Sequence, residues 1–378
     1  MKQNLSFISS IATIAMFASC SSDSLLSDTA PASDPTIKFN TSMKNITRAV
    51  TTDATFSSFK VSAYEQGSTE AYFDKKTVSK GEDSKWAPTE GDLYWPKSGK
   101  ALDFFAYAPT ELSATTASTG ISISGFTLPT TEADQTDILV AKASKQYDAS
   151  SSANNTVSLN FKHALSNIVI KARNETSGAY TVKVKGVRVG KVYSTGNFSF
   201  DGTNCTWSSH ATKADYAIGG RDDATYSELE VTKDNSSSGN SSDLMNGKEL
   251  LIIPQDATTN APWKEEVENN DGSRISICCQ LWQGSTRIFP ASDKTVEYGW
   301  ISVPLPATYD WQAGNKYIYT VRFFPNGGGD TGNVDPDDSE AGGGESGTDP
   351  IPSVKIEFTA VINDWTNGND TGENIPSE

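Results

Sequence analysis

Histidine is scarce in this chain, which has two histidines and 47 acidic residues among 378. His163 lies in a strand-forming stretch and His210 in a polar one, and neither has an evident catalytic partner nearby in sequence. His163 is therefore expected to be a structural, hydrogen-bonded side chain rather than a general base. No motif singles out two of the acids for glycoside hydrolysis. We predict that the chain is not an enzyme and needs no cofactor.

Cysteine is also rare, with four in the whole chain. Cys205, Cys278 and Cys279 lack the spacing of a metal site, and they do not suggest a disulfide framework. The alternation from Ile275 to Trp282 places Cys279 on the apolar face of a strand, where it would serve as a small core residue. A Cys205–Cys278 disulfide is left open as an alternative.

Basic residues are too few for a nucleic-acid-binding protein. The chain has 31 lysines and arginines against 47 acids, and its formal net charge is −16. Neutralising phosphates requires a basic face, which this sequence does not offer. The excess of acid suits an exposed, soluble surface instead. We therefore expect no nucleic-acid partner.

Long apolar runs are missing too, and the one short run lies at the N-terminus. Lys2 precedes an apolar stretch at 7–17, which is typical of a secretory signal and too short to span a bilayer. The run ends in Phe17-Ala18-Ser19-Cys20, which resembles the lipobox of bacterial lipoproteins. Acylation of Cys20, with palmitate among the acyl chains, would anchor an exported protein in the outer membrane. An ordinary signal-peptidase site with an incidental cysteine is the alternative.

Short alternating runs dominate the rest of the sequence and predict an all-β fold. They are separated by stretches rich in serine, threonine, glycine and asparagine, and no long segment has a helical period. The polar stretch 147–155 suggests a boundary between two domains. The predicted organisation is a signal peptide at 1–20, a flexible tether at 21–35, an N-terminal β-sandwich at 36–155, a C-terminal β-sandwich at 156–366 and a polar tail at 367–378. Residues 209–225 are expected to form an exposed loop.

The segment 326–353 is rich in glycine and acid and has no basic residue, so it is predicted to be a flexible insert. Its carboxylates are of the kind that calcium accepts, but their spacing does not fit an EF-hand. The simpler interpretation is a solvated acidic loop, and no metal ligand is assigned. The acids concerned are Asp330, Asp335, Asp337, Asp338 and Glu340.

Several short motifs occur together in an order that resembles the fimbrillin family, the Mfa-like and FimA-like subunits of type V pili. Each motif is weak alone, but together they cover nearly the whole mature chain. They follow the lipobox at Cys20 and are Ile37-Lys38-Phe39-Asn40, Thr47-Arg48-Ala49, Leu93-Tyr94-Trp95-Pro96, the stretches 102–109, 136–141 and 159–166, Gly314-Asn315-Lys316-Tyr317 and Ile362-Asn363-Asp364-Trp365.

The resemblance implies two tandem transthyretin-like antiparallel β-sandwiches and a pilus subunit exported as a lipoprotein. In that family an arginine-specific protease cuts near the N-terminus and releases the first strand, and a strand of another subunit fills the groove. Arg48 and Ala49 match the cleavage position, and Ile37–Asn40 matches the strand removed. The resemblance makes the last strand the donor, with Val354, Ile356, Phe358, Ala360, Ile362 and Trp365 as its candidate residues. The alternative, which the sequence leaves equally open, is that this strand pairs in its own domain beside residues 316–324.

The function predicted is a fimbrial subunit, or an accessory or tip component, that assembles by protease-triggered donor-strand exchange and supports cell adhesion. Its partners would be other pilus subunits, the outer membrane through the lipid, and a host or glycan ligand. A monomeric surface lipoprotein that binds a glycan or host ligand is the alternative. Trp263, in a polar stretch, is the aromatic residue we expect to contact such a ligand.

Overall fold

A computed structural model describes residues 35–43, 56–151, 155–176, 178–234, 240–264, 271–325, 330–342, 350–364 and 373–375. Residues Thr36–Glu378 form one compact unit. In these ranges the regular structure is β-strand, apart from a short 3₁₀ turn at Glu132–Asp134. The predicted all-β class is confirmed. No helix in the described ranges is long and apolar enough to cross a membrane. The predicted lipidation residue, Cys20, lies outside the described residues.

The described residues form 22 strands. The first eleven are β1 Lys38–Met43, β2 Ser58–Glu65, β3 Ala71–Lys80, β4 Trp86–Pro88, β5 Leu102–Ala108, β6 Thr115–Ala117, β7 Gly120–Thr127, β8 Leu139–Lys145, β9 Thr156–His163, β10 Ser166–Asn174 and β11 Tyr180–Phe200. The others are β12 Cys205–Gly219, β13 Leu229–Glu230, β14 Ser242–Asp243, β15 Leu250–Ile252, β16 Arg274–Gln283, β17 Thr286–Phe289, β18 Gly299–Pro304, β19 Asn315–Phe323, β20 Asp330–Val334, β21 Pro350–Asp364 and β22 Glu373–Ile375.

The N-terminal strands close into a barrel in the order β1-β4-β3-β2-β5-β8-β9. The sequence led us to expect antiparallel pairing, but β1 runs parallel to β9. Alternation explains the barrel core, since Phe59, Leu102, Phe104, Val157 and Leu159 point inward and are fully buried. The first predicted β-sandwich is therefore a closed barrel, because β1 joins the strands at its two ends.

The remaining strands form a 15-stranded sheet whose main path is β14-β10-β19-β21-β20-β18-β16-β11-β7-β6. Strands β10 and β19 are parallel. Short strand β20 connects the two halves of this sheet, pairing with β18 on one side and β21 on the other. Ile168 and Ile170 of one half share a hydrophobic cluster with Val182 and Val187 of the other. The two halves thus pack face to face, as in a sandwich.

The barrel and the larger sheet meet at β5, whose sequence Leu-Asp-Phe-Phe-Ala-Tyr-Ala is buried on both faces. Phe104 and Ala106 belong to the barrel core, whereas Phe105 and Tyr107 belong to the core of the larger sheet. A strand buried on both sides is apolar along most of its length, as this one is.

The two sheets divide the chain differently from the predicted boundary near residue 155. Strands β6 and β7 precede that point but belong to the larger sheet, while β9 follows it and closes the barrel. Strands β8 and β9 pair with each other at Leu139↔His163 and Val140↔Lys162. The polar stretch 147–155 therefore connects two strands of the barrel, which explains its turn-forming composition.

The predicted loop at 209–225 is wrong over most of its length, because β12 extends to Gly219. Strand β12 pairs with β11 from Gly186↔Gly219 to Phe200↔Cys205. Most of its side chains are exposed or half-buried, so polar residues are tolerated on both of its faces. The turn after β12 passes close to Gly186 of β11. A β-carbon at Gly186 would lie 2.3 Å from the backbone nitrogen of Gly220, so position 186 requires glycine.

Within the predicted flexible insert 326–353, the acids of the described stretch 330–342 are held by arginines from Asp335 onward. Asp335 is fully buried, and its carboxylate accepts hydrogen bonds from Arg188 at 2.5 Å, Ser276 at 2.5 Å and Ser302 at 2.6 Å. Arg274, whose side chain is also fully buried, lies 3.4 Å from the same carboxylate. These are charge-assisted contacts from strands β11, β16 and β18. The described part of the segment, 330–342, is therefore part of the folded unit.

The neighbouring acids are paired as well. Asp337 contacts Arg274 at 2.5 Å and Lys191 at 2.9 Å. Both carboxylate oxygens of Asp338 accept from Arg221, at 2.8 and 2.7 Å, and the second also accepts from the Trp300 backbone. Because cations of the protein already occupy these oxygens, Asp335, Asp337 and Asp338 serve as counter-ions of arginine. Sequence reasoning did not single out the three arginines, which lie more than 60 positions away.

Replacing Asp335 with asparagine tests the importance of this cluster. Burial raises the pKa of Asp335, but Arg188, Arg274 and the two serine hydroxyls outweigh it and hold the pKa well below the usual range. We expect Asp335→Asn to lower the free energy of unfolding at pH 7 by about 3–5 kcal/mol, because two guanidinium groups lose their buried counter-ion. Urea denaturation would measure the loss.

The pH dependence follows from the direction of the shift. A depressed pKa stabilises the folded state above the unfolded pKa, near 4, and the stabilisation is lost as the pH falls toward the folded pKa. The difference in free energy of unfolding between wild type and Asp335→Asn should therefore become smaller below about pH 4. Asp92→Asn, at an exposed position, is the control and should leave stability unchanged. Equal unfolding free energies for Asp335→Asn and wild type at pH 7 would contradict the prediction.

Candidate functional site

Strand β1 closes the barrel but is held unequally on its two sides. Toward β9 it forms a parallel ladder from Lys38↔Thr156 to Met43↔Phe161. Toward β4 its register has only the pair Phe39↔Trp86. Just before the strand, the Ile37 amide donates to the Leu93 carbonyl at 2.7 Å. The barrel is therefore weakest between β1 and β4.

The side chains of β1 alternate between the core and solvent. Ile37, Phe39 and Met43 are buried, whereas Lys38 and Asn40 are exposed. The alternation is that of a strand with one face built for a core. Residues 38–40 of the stretch 37–40, which the resemblance identifies as a strand, thus lie in β1. Without β1, the barrel would have an open groove with apolar pockets spaced for every second side chain.

Phe39 is the central side chain of this groove. Its ring makes edge-on contacts with Phe59 and Phe104, with ring centroids 6.0 Å apart in both cases. Aromatic pairs in this geometry stabilise by ~0.5–1.5 kcal/mol beyond the area they bury. Phe39 therefore contributes more than the other residues of β1 to holding the strand in the barrel.

The predicted cleavage residues, Arg48 and Ala49, lie outside the described residues. The description resumes at Phe56, which is buried and packs on Phe161 and Trp86, with centroid distances of 4.9 and 5.1 Å. The chain is thus fixed in the barrel core on both sides of 44–55, by Met43 before it and by Phe56 after it. A cut between them would detach β1 covalently while leaving Phe56 in the core.

The candidate donor strand pairs within its own chain. Strand β21 is antiparallel to β19 from Asn315↔Asp364 to Phe323↔Ile356. It also pairs with β20 and β22, so it is an interior strand of the larger sheet. Of the two arrangements that the sequence left open, the structure has the one beside residues 316–324. Ile356 is buried, and Val354, Phe358, Ala360 and Ile362 lie in the same strand, while Trp365 is outside the described residues.

Trp263 is not an exposed ligand contact. Its side chain is 2 % exposed, and its backbone amide donates to the Ser273 carbonyl at 3.0 Å. Because the side chain is buried, the expectation of an exposed stacking surface at Trp263 is wrong. The exposed large apolar side chains of the described residues are instead Tyr72 and Tyr94, and the Tyr72 hydroxyl donates to the Tyr94 carbonyl at 3.1 Å. Nothing in the local sequence distinguishes Tyr72 from the buried aromatic residues.

A pocket of about 640 Å³ lies near the end of β1. Its lining combines the apolar side chains of Met43 and Phe161 with polar ones, among them Ser42, Asn160, Thr203, Asn204, Gln312 and Asn315. His163 also lines it, and its Nδ1 contacts the buried carboxylate of Asp137, which confirms the structural hydrogen bond predicted for this histidine. The pocket offers amide and hydroxyl groups of the kind that bind a polar ligand.

The three cysteines of the described residues, Cys205, Cys278 and Cys279, are free thiols, so the Cys205–Cys278 disulfide left open by the sequence is not formed. Burial raises the pKa of the Cys205 thiol to about 12, and that of Cys278 likewise to about 12. Thiols in this state are poor nucleophiles at neutral pH. Cys279 is fully buried among apolar residues, which confirms the core role predicted for it.

Comparison with one solved structure supports the fold. The chain is similar to a fimbrial protein from Bacteroides vulgatus, with 17 % sequence identity, a TM-score of 0.56, and coverage of 88 % of this chain and 99 % of that one. It also matches a proposed cell adhesion protein from Bacteroides ovatus, with 14 % identity, a TM-score of 0.45, and coverage of 89 % and 99 % of the two chains. No curated protein matches the chain in sequence.

A protein-family model described as fimbrillin-like matches residues 47–365. The matched region begins after β1, one residue before Arg48, and includes β2 to β21. It covers both the barrel and the larger sheet, so it does not rest on one local motif. By this match the chain belongs to the fimbrillin-like family.

Proposed function

We propose that this chain is a subunit of a fimbria, or an accessory or tip component of one, that assembles by protease-triggered strand exchange and supports cell adhesion. The observation that carries the proposal is the geometry of β1. It is buried on one face, it pairs with β4 at a single position, and it directly precedes the segment that contains Arg48. Membership of a fimbrial family agrees with a surface-exposed location.

Cleavage between Arg48 and Ala49 would leave β1 held by its ladder with β9, its single pair with β4, the Ile37–Leu93 hydrogen bond and its buried side chains. Burying a large apolar side chain stabilises by ~1.5–3 kcal/mol, so β1 would leave slowly unless another strand replaced it. A strand from a second subunit with the same alternation would restore the main-chain hydrogen bonds and fill the pockets of Ile37, Phe39 and Met43. Exchange would therefore cost little free energy overall.

The lipid anchor fits the same sequence of events. Acylation at Cys20 would place the uncut chain in the outer membrane, and β1 lies between Cys20 and Arg48. One cut would then remove the lipid together with the strand that occupies the groove. In this proposal, release from the membrane and competence to assemble arise from one event.

The position of β21 favours an accessory or tip component over a stalk subunit. To be donated, β21 would have to leave β19, β20 and β22, and the larger sheet would be divided at an interior position. A component that accepts a strand but keeps its own last strand needs no such change. We therefore propose that this chain accepts a donor strand and does not supply one.

A monomeric glycan-binding lipoprotein is a second candidate, and the polar pocket at the end of β1 favours it. The pocket presents amide and hydroxyl groups from Asn160, Asn204 and Gln312. Groups of this kind form the hydrogen bonds that neutral sugars require. The two candidates differ in whether the cut chain changes its oligomeric state.

Limited proteolysis tests the assembly proposal. The lipid-free chain beginning at Ser21 is treated with a low dose of an arginine-specific protease, and the new N-terminus and the size distribution are followed. We expect cleavage between Arg48 and Ala49, since the other arginines are in strands or bound to acids: Arg173, Arg188, Arg274, Arg287 and Arg322 are in strands, and Arg221 binds Asp338. Mixing the cut chain with other subunits should then give larger species.

Arg48→Ala is the control and should neither be cut there nor assemble. Clean cleavage that leaves only a monomer in every mixture, or the absence of any cut at Arg48, would reject strand exchange. In that case a glycan-binding monomer would become the preferred function.

Substitutions in β1 test whether the strand leaves the groove. Phe39→Ala removes a buried aromatic ring, which in proteins costs about 3–5 kcal/mol. After cleavage, we expect the N-terminal fragment to dissociate about 100-fold faster or more, because each ~1.4 kcal/mol of lost binding free energy corresponds to a factor of ten. Chromatography of the released fragment would measure the rate.

Lys38→Ala is the matched control, since Lys38 is adjacent in the same strand but exposed. Its fragment should dissociate within a few-fold of the wild-type rate. Equal rates for Phe39→Ala and Lys38→Ala would mean that the buried face of β1 does not hold it in place.

A further inference from the structure

Three residues with complementary chemistry meet on one face of the larger sheet. Asn167 of β10 is directly opposite Lys316 of the parallel strand β19. On the other side of β10, Leu251 of β15 is opposite Asn167, and Glu249 lies two residues before Leu251. Side chains two positions apart in an extended chain share a face. Asn167, Lys316 and Glu249 therefore lie side by side, which we call the amide triad.

The carboxylate of Glu249 bridges the other two members. The Asn167 side-chain nitrogen Nδ2 donates to Glu249 Oε2, and the Lys316 amine Nζ donates to Glu249 Oε1. The two nitrogens are thus bound to the two oxygens of one carboxylate. The amine is held beside the side-chain amide of the neighbouring strand, from a lysine whose Cα is one inter-strand spacing away, about 5 Å.

The amide triad is removed from bulk water. Asn167 is fully buried, Glu249 is 7 % exposed, and the Lys316 side chain is 19 % exposed. Within the described part of the chain, the Asn167 carbonyl oxygen Oδ1 is buried and accepts no hydrogen bond. An amide buried with an unpaired oxygen is unfavourable by about 1–3 kcal/mol, so ordinary packing does not explain why it is placed here.

We propose that the amide triad forms an isopeptide bond between Lys316 and Asn167. Glu249 takes a proton from the Lys316 ammonium, and the neutral Nζ attacks the side-chain carbonyl carbon Cγ of Asn167. The Nζ–Cγ bond forms and the Cγ–Nδ2 bond breaks, and Glu249 returns the proton to Nδ2, which leaves as ammonia. Glu249 then takes the second amine proton from Nζ and passes it to the departing ammonia, so the products are one secondary amide and one ammonium ion, with no oxidant or other reactant.

The contacts suit each part of this reaction. A partly buried lysine beside a carboxyl group is a nucleophile that can transfer its proton locally. Glu249 touches the attacking nitrogen with one oxygen and the leaving nitrogen with the other, which is the arrangement a proton shuttle requires. The fixed register of β10 and β19 supplies the orientation that a slow amide exchange needs.

The bond would join β10 and β19 covalently and close a loop of about 150 residues, which restricts the unfolded chain. It is a cross-link that needs neither cysteine nor an oxidising environment. This consequence does not depend on strand exchange, because neither β1 nor Arg48 takes part.

Mass spectrometry of the denatured wild-type chain tests the proposal. An ion pair falls apart in denaturant, whereas an isopeptide bond leaves the chain lighter by one ammonia molecule. After trypsin digestion we expect the peptide 163–171 joined to the peptide 295–322, because trypsin does not cut after a modified lysine. Separate peptides and an unchanged mass in the wild-type chain would overturn the proposal.

Two conservative variants assign the roles. Lys316→Arg keeps the positive charge beside Glu249 but lacks the nucleophile, and Glu249→Gln keeps the size but cannot exchange a proton. Both should retain the fold, as shown by circular dichroism, and both should give the full mass and separate peptides. A linked product from folded Glu249→Gln would overturn the role of Glu249.

Discussion

Main-chain hydrogen bonding between strands is the constraint on which this structure depends. In a chain whose described residues contain almost no helix, buried amides and carbonyls must find partners in neighbouring strands. Strand β11 shows this most clearly, since β7, β12, β13 and β16 all pair with it along 21 residues. The barrel meets the same requirement by closing on itself through β1. Loss of the strand that completes the barrel would therefore leave backbone groups of β9 and β4 without partners.

The sequence predicted the strands whose alternation is strong, and missed those determined by distant partners. Strands such as β9 and β19 are recognisable because every second residue is buried. Strand β12 has little alternation, and it is a strand because β11 offers it a free edge. The acidic segment resembles a disordered linker in composition. The stretch around Asp335 is held by Arg188 and Arg274, whose proximity to Asp335 no local pattern reveals.

The candidate site was predictable in part for the same reason. The two-faced pattern of 37–40 identifies a strand, but not that its partner is β9, more than 100 residues later. The pattern at 354–362 is equally clear, yet alternation alone cannot say whether a strand pairs in its own chain or in another. Trp263 shows the opposite error. Its neighbours in sequence are polar, which suggested an exposed side chain, but the indole is buried. Periodicity reports which face of a strand is buried, and topology decides what buries it.

The parallel pairing of β1 with β9 has a mechanical consequence. A chain anchored through residues that precede β1 transmits tension into the N-terminal end of that strand, along its axis. Tension in this direction loads the hydrogen bonds from Lys38 to Met43 together, in shear, rather than opening them one after another. Ladders loaded in shear resist far more tension than ladders that are unzipped. In such a chain β1 would act as a mechanical clamp, and after a cut behind it the non-covalent contacts of β1, chiefly its ladder with β9, would have to carry all of the tension.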